Sequence, residues 1–62
     1  MDQAEALKFV REIAKGKSGY RTSKILDVSW PTARNWLSKN PAKISYLNLK
    51  KLEALRGQNR KP

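Results

Sequence analysis

Gly19-Tyr20-Arg21-Thr22-Ser23-Lys24-Ile25-Leu26-Asp27-Val28-Ser29-Trp30-Pro31-Thr32-Ala33-Arg34-Asn35-Trp36-Leu37-Ser38 decides the fold of this chain. The stretch spells two short helices separated by a tight turn. Ser18, just ahead of it, has the chemistry of a helix cap. Thr22 or Ser23 with Ile25 and Leu26 give a first segment, roughly Tyr20 to Leu26, a side to bury. Asp27-Val28-Ser29 then breaks the helix. Pro31 marks the next start, because a proline is welcome only in the first turn of a helix. It also biases Trp30 away from helical dihedrals, which leaves Ser29 or Trp30 as the cap of a segment reaching about Ser38. Ala33 and Trp36 lie three residues apart and share the inward face, so Arg34 and Asn35 project outward.

Outward from this unit, the flanking sequence is also helical. Asp2 and Glu5 have capping-box spacing. Behind them Ala6, Phe9, Val10 and Ile13, flanked by Leu7 and Ala14, recur at helical period, which predicts a helix over roughly Gln3 to Lys15 closed by Gly16. Gly16-Lys17-Ser18-Gly19 is a tight linker. After Asn40-Pro41, a last helix from about Ser45 or Asn48 carries Leu49, Leu52 and Leu55 inward and stops at Gly57. Lys50, Lys51 and Arg56 then form its solvated face. Ile44, Tyr46 and Leu47 either complete the core or leave an apolar patch for a second copy of the chain. The expected organisation is one domain over 1–57 followed by a basic tail over 58–62.

Composition narrows what such a domain can do. Its 62 residues include 14 Lys or Arg against 5 Asp or Glu, with no His and no Cys. Zinc staples, disulfides and Cys–His nucleophiles are excluded, and the core must stand on apolar packing in a chain near the lower size limit. A net charge of +9 points to a polyanionic partner, nucleic acid ahead of an acidic membrane surface. The polar face of the first helix mixes Glu with Lys, which suits water better than lipid. The start of the chain is acidic, unlike a secretory signal, and no run is long enough to span a bilayer. The expectation is a cytoplasmic, non-enzymatic protein with no cofactor, no metal and no membrane partner.

Residues 19–38 resemble the helix-turn-helix unit of the lambda-repressor and Cro family of small phage and bacterial regulators. In that pattern Ser23 is the small residue of the first helix, Asp27 the turn, and Val28, Ala33 and Trp36 the buried anchors. Thr22 and Leu26 take the other inward positions. Asp27 departs from the glycine usual at a left-handed turn, and Pro31 places a donor-free residue at the exposed end of the second helix. The resemblance implies a compact four-helix, all-α helix-turn-helix domain that binds double-stranded DNA sequence-specifically as a repressor, with a homodimer on a twofold site.

It also implies which residues touch DNA. Base contacts would come from Trp30, Thr32, Arg34, Asn35 and Ser38. Arg suits guanine O6 and N7, and Asn suits adenine N6 and N7. Arg34 serves either a base or a phosphate, and Trp30 either packs locally or meets a thymine methyl. Backbone contacts would come from Tyr20, Arg21, Ser29, Lys39 and Lys43, and about six neutralised phosphates give a log–log salt slope of roughly −5. The alternative architecture is a winged helix of excisionase or MerR-like type, since Lys43-Ile44-Ser45-Tyr46-Leu47 alternates as a strand edge would. Non-specific nucleic-acid or membrane-surface binding is the remaining alternative.

Overall fold

Four helices follow one another in the computed structural model, which describes residues 1–59: α1 (Gln3–Ala14), α2 (Gly19–Leu26), α3 (Trp30–Trp36) and α4 (Tyr46–Asn59). The fold is all-α, with no strand among the described residues. Its radius of gyration, 10.7 Å, matches the roughly 10.5 Å of a globular chain of this size.

Local chemistry explains most of the boundaries. The capping box of α1 forms as the spacing predicts: Asp2 Oδ1 accepts from Glu5 N at 2.8 Å, and Glu5 Oε1 accepts from Asp2 N at 3.3 Å. Gly16 takes the left-handed conformation (φ 73°) just past the helix end. Ser18 caps α2 by accepting from Arg21 N at 3.2 Å, and Ser29 caps α3. The choice between Ser29 and Trp30 is thereby resolved, with Trp30 and Pro31 as the first two helical residues.

The core is a cluster of Ala6, Phe9 and Val10 from α1, Leu26 from α2, Trp36 from α3, Ile44 from the loop and Leu52 from α4. Leu7, Ile13, Val28, Leu49 and Leu55 pack around it, half-buried. Ile25 departs from expectation: it is exposed, and Thr22 and Ser23 are buried in its place. α3 packs chiefly against α2, and the small residues Thr22, Ser23 and Ala33 of these two helices are all buried. Neither hydroxyl is stranded there. Thr22 Oγ1 donates to Ser18 O at 2.8 Å, and Ser23 Oγ donates to Tyr20 O at 2.7 Å.

Three expectations are corrected. Residues 43–47 do not form a wing: Lys43 to Ser45 belongs to no strand or helix, and Tyr46 already begins α4. The backbone groups of Ile44 go to a side chain instead. Gln3 Nε2 donates to Ile44 O and Ile44 N donates to Gln3 Oε1, both at 2.9 Å, so one amide acts as a one-residue strand and seats Ile44 in the core. Gly57 does not stop α4, which runs on to Asn59, because Gly57 keeps helical dihedrals. The tail read over 58–62 therefore begins as helix, and Arg60, Lys61 and Pro62 lie outside the described residues. Finally, α3 ends at Trp36 rather than near Ser38. The chain tightens there into i→i+3 bonds, with Leu37 N to Arg34 O at 3.2 Å and Ser38 N to Asn35 O at 3.1 Å.

Candidate nucleic-acid interface

The turn between α2 and α3 aims everything that follows. Asp27 is left-handed (φ 57°, ψ 48°), the only non-glycine with positive φ among the described residues. Asp27 N donates to Lys24 O at 3.3 Å and Val28 N to Ser23 O at 3.1 Å, the paired bonds of a Schellman motif. A left-handed L-residue costs about 1–2 kcal/mol. Lys51 of α4 reaches across to offset part of it: Nζ donates to Asp27 O at 2.9 Å and lies 3.6 Å from Asp27 Oδ2. Lys51 is thus a brace of the turn and not merely part of a solvated face. Arg56 is likewise engaged, 3.5 Å from Glu5 across α1 and α4.

With the turn held, the outer face of α3 borders a shallow concavity of about 410 Å³ lined by Trp30, Pro31, Arg34, Asn35 and Ser38. Four of the five expected base-contact residues meet there. Thr32 does not line it: half-buried, its hydroxyl is 2.8 Å from Ser29 Oγ, within the cap of α3. That bond also occupies Ser29, so both residues serve the helix start. Trp30 is 44% exposed, and its ring covers the start of α2 so closely that a methyl built on Gly19 would come within 3.2 Å of Nε1. On the same ring the Arg34 guanidinium lies 5.1 Å from the centroid, within cation–π range.

Asn35 and Ser38 are less free than their outward positions suggest. Asn35 Oδ1 accepts from Ala42 N at 2.8 Å, pinning the loop that follows α3. A two-bond contact with adenine has to compete with that bond. Ser38 Oγ donates to Asn35 O at 2.6 Å and closes the last turn. Nothing in the sequence pattern signals the Asn35–Ala42 bond, which spans seven residues.

The margins carry the charge. Tyr20 and Arg21 are exposed on the first turn of α2, and Lys24 Nζ sits 5.2 Å from the Tyr20 ring centroid. Lys39 is exposed beyond α3. Lys43 borders a different groove, with Gln3, Ile44, Ser45, Tyr46 and Leu49. Between residues 13 and 52 nine Lys or Arg stand against the single carboxylate of Asp27. Three of the chain's carboxylates are paired away from α3: Asp27 with Lys51, Glu5 with Arg56, and Glu53 with the Met1 amino group. That ammonium donates to the Glu53 carboxylate and holds its pKa below the usual value, with Lys50 and Arg56 adding to the effect. Among the described residues, Arg21, Lys24, Arg34 and Lys39 take part in no ion pair.

Tyr46 and Leu47, at the start of α4, are the most exposed large apolar side chains among the described residues, while their neighbour Ile44 is buried. Ile44, Tyr46 and Leu47 thus divide between core and surface. No helix of the described residues is long and apolar enough to cross a membrane. No protein-family model, no curated protein and no solved structure matches the chain.

Proposed function

We propose that this chain binds double-stranded DNA by laying α3 in the major groove, with the α2 start and the loop after α3 meeting phosphates. The observation that carries the proposal is the outer face of α3, where Trp30 and Arg34 stand exposed on a helix whose inward side is fixed by Ala33 and Trp36. Seven residues make a helix about 10 Å long, short enough to be probed end to end by a groove about 12 Å wide. Arg34 is the principal base reader. Arg21 and Lys39 act on the sugar–phosphate backbone, assisted by Tyr20 and by Lys24, whose ammonium lies over the Tyr20 ring. Because Ser29, Thr32, Asn35 and Ser38 already hold internal hydrogen bonds, base selectivity rests on fewer side chains than the pattern alone suggests.

The narrowest form of the proposal is a cytoplasmic repressor of Cro type acting as a homodimer. It rests on the resemblance of residues 19–38 and on the exposed Tyr46 and Leu47 as a surface for the second copy. Selection of bound duplexes from a randomised pool tests it. A twofold consensus is the expected outcome, and recovery of no preferred sequence overturns sequence-specific recognition. Arg34→Ala is expected to weaken binding to the selected duplex by about 1–3 kcal/mol and to relax preference at one base pair. An equal loss on every duplex overturns its role as base reader. With Arg21, Lys24 and Lys39 on phosphates, the log–log salt slope is expected to be about −2.7, shallower than six contacts would give.

A further inference from the structure

Three groups that the sequence treats separately meet at one indole ring. Gly19 opens α2, Trp30 opens α3, and Arg34 follows one turn later. The Nε1 end of the Trp30 ring lies close to Gly19, where a Cβ would stand 3.2 Å from Nε1. The Arg34 guanidinium lies over the ring, 5.1 Å from its centroid. Among the described residues no carboxylate lies within ion-pairing distance of Arg34. An unpaired arginine on an exposed helix ordinarily samples many rotamers, and ordering it on binding lowers affinity. A ring face removes that freedom and uses none of the five N–H donors, because it offers no lone pair.

We propose that Trp30 is a positioning residue that presents Arg34 for two-bond recognition of guanine, with Gly19 keeping open the space in which the ring sits. The inference rests on α3 meeting duplex DNA. It adds that the selected site contains a guanine read by Arg34, and that this reading depends on a glycine in a different helix. Trp30 then contributes to selectivity through Arg34 rather than through a base of its own. Asn35, tied to Ala42, is a weaker reader than its position implies.

The free protein tests the stack and duplexes test its use. In proton NMR of the parent chain, the Arg34 methylene protons should be shifted upfield by the ring current. The shift should vanish in Trp30→Leu, persist in Trp30→Phe, and change in Gly19→Ala, where the ring must give by a few tenths of an ångström. Ordinary solvent-exposed Arg34 shifts in the parent overturn the inference without touching DNA binding. On the selected duplex, Arg34→Ala and Arg34→Lys should lose roughly five- to 150-fold in guanine preference. Trp30→Leu and Gly19→Ala should lose several-fold at that same base pair, Trp30→Phe should retain most of the preference, and binding to random-sequence duplex should hardly change. Thermal melts confirm that each variant is folded. If Trp30→Leu alters preference at a different base pair, or leaves the guanine preference intact, the positioning role is overturned. A parent chain that shows the stack but selects no duplex overturns the DNA-binding proposal, and the inference with it.

Discussion

The two tryptophans offer the sharpest test of how this small core is built. Trp36 is 3% exposed at the centre of the cluster, whereas Trp30 is 44% exposed at the start of the same helix. An aromatic side chain buries about 150–250 Å², which at about 25 cal/mol per Å² corresponds to roughly 4–6 kcal/mol of transfer free energy. Measured aromatic-to-alanine truncations in cores cost about 3–5 kcal/mol. Set against a total stability of about 3–9 kcal/mol for 62 residues, Trp36→Ala removes between roughly a third of the stability and all of it. Trp30→Ala, with nearly half its surface already in water, should cost about 2–3 kcal/mol. Urea unfolding followed by far-ultraviolet circular dichroism is the assay, since either substitution removes a fluorophore. The expected order is parent, Trp30→Ala, then Trp36→Ala, with the last melting at least about 12 °C lower or unfolded outright. A Trp36→Ala variant within 1 kcal/mol of the parent, or one more stable than Trp30→Ala, would refute this account of the core.

Gln3→Ala should cost about 1–2 kcal/mol, because it strips two partners from Ile44 at a half-buried position. Gln3→Glu should fall between it and the parent, keeping the acceptor for Ile44 N but losing the donor; equal stability of all three in urea would show that the loop needs no pin. Asn35→Ala should lower stability by about 0.5–1 kcal/mol through loss of its bond to Ala42 N, and amide exchange at Ala42 should accelerate. Unchanged exchange there would count against the pin. The Glu53 pKa is depressed by the Met1 ammonium, so its contribution is present above the ordinary carboxylate range and fades as pH falls through the lowered value. Melting temperature in a chain with that amino group free should therefore drop on the acid side, and less so in Glu53→Gln; identical acid limbs would remove the pair from the account.

Much of this architecture was legible because its signals are local. The capping box over Asp2 and Glu5, the caps at Ser18 and Ser29, and Pro31 in the first turn each depend on neighbours within four residues. Period-3.6 patterning placed Phe9, Val10, Ala33, Trp36 and Leu52 in the core for the same reason. The false strand over residues 43–47 shows the limit. Alternation there suits a strand edge, yet a segment becomes a strand only through a backbone hydrogen-bonding partner, and here Ile44 is partnered by the side chain of Gln3, 41 residues away.

The candidate interface divides along the same line. That Arg34 and Asn35 face outward followed from Ala33 and Trp36 facing inward, a matter of helical period alone. What each is free to do depended on groups brought near by folding: Trp30 beneath Arg34 one helical turn away, and Ala42 N against Asn35. Lys51 was an ordinary surface cation until the packing of α4 carried its ammonium to the Asp27 carbonyl. By itself, then, the sequence determined four amphipathic or capped helices, the turn at Asp27 and the inward set, because dihedral preference and periodicity act between near neighbours. Tertiary structure alone decided which polar groups are spent on the fold and which remain for a partner, because hydrogen bonds and cation–π contacts depend on distances across the fold that no local spacing encodes.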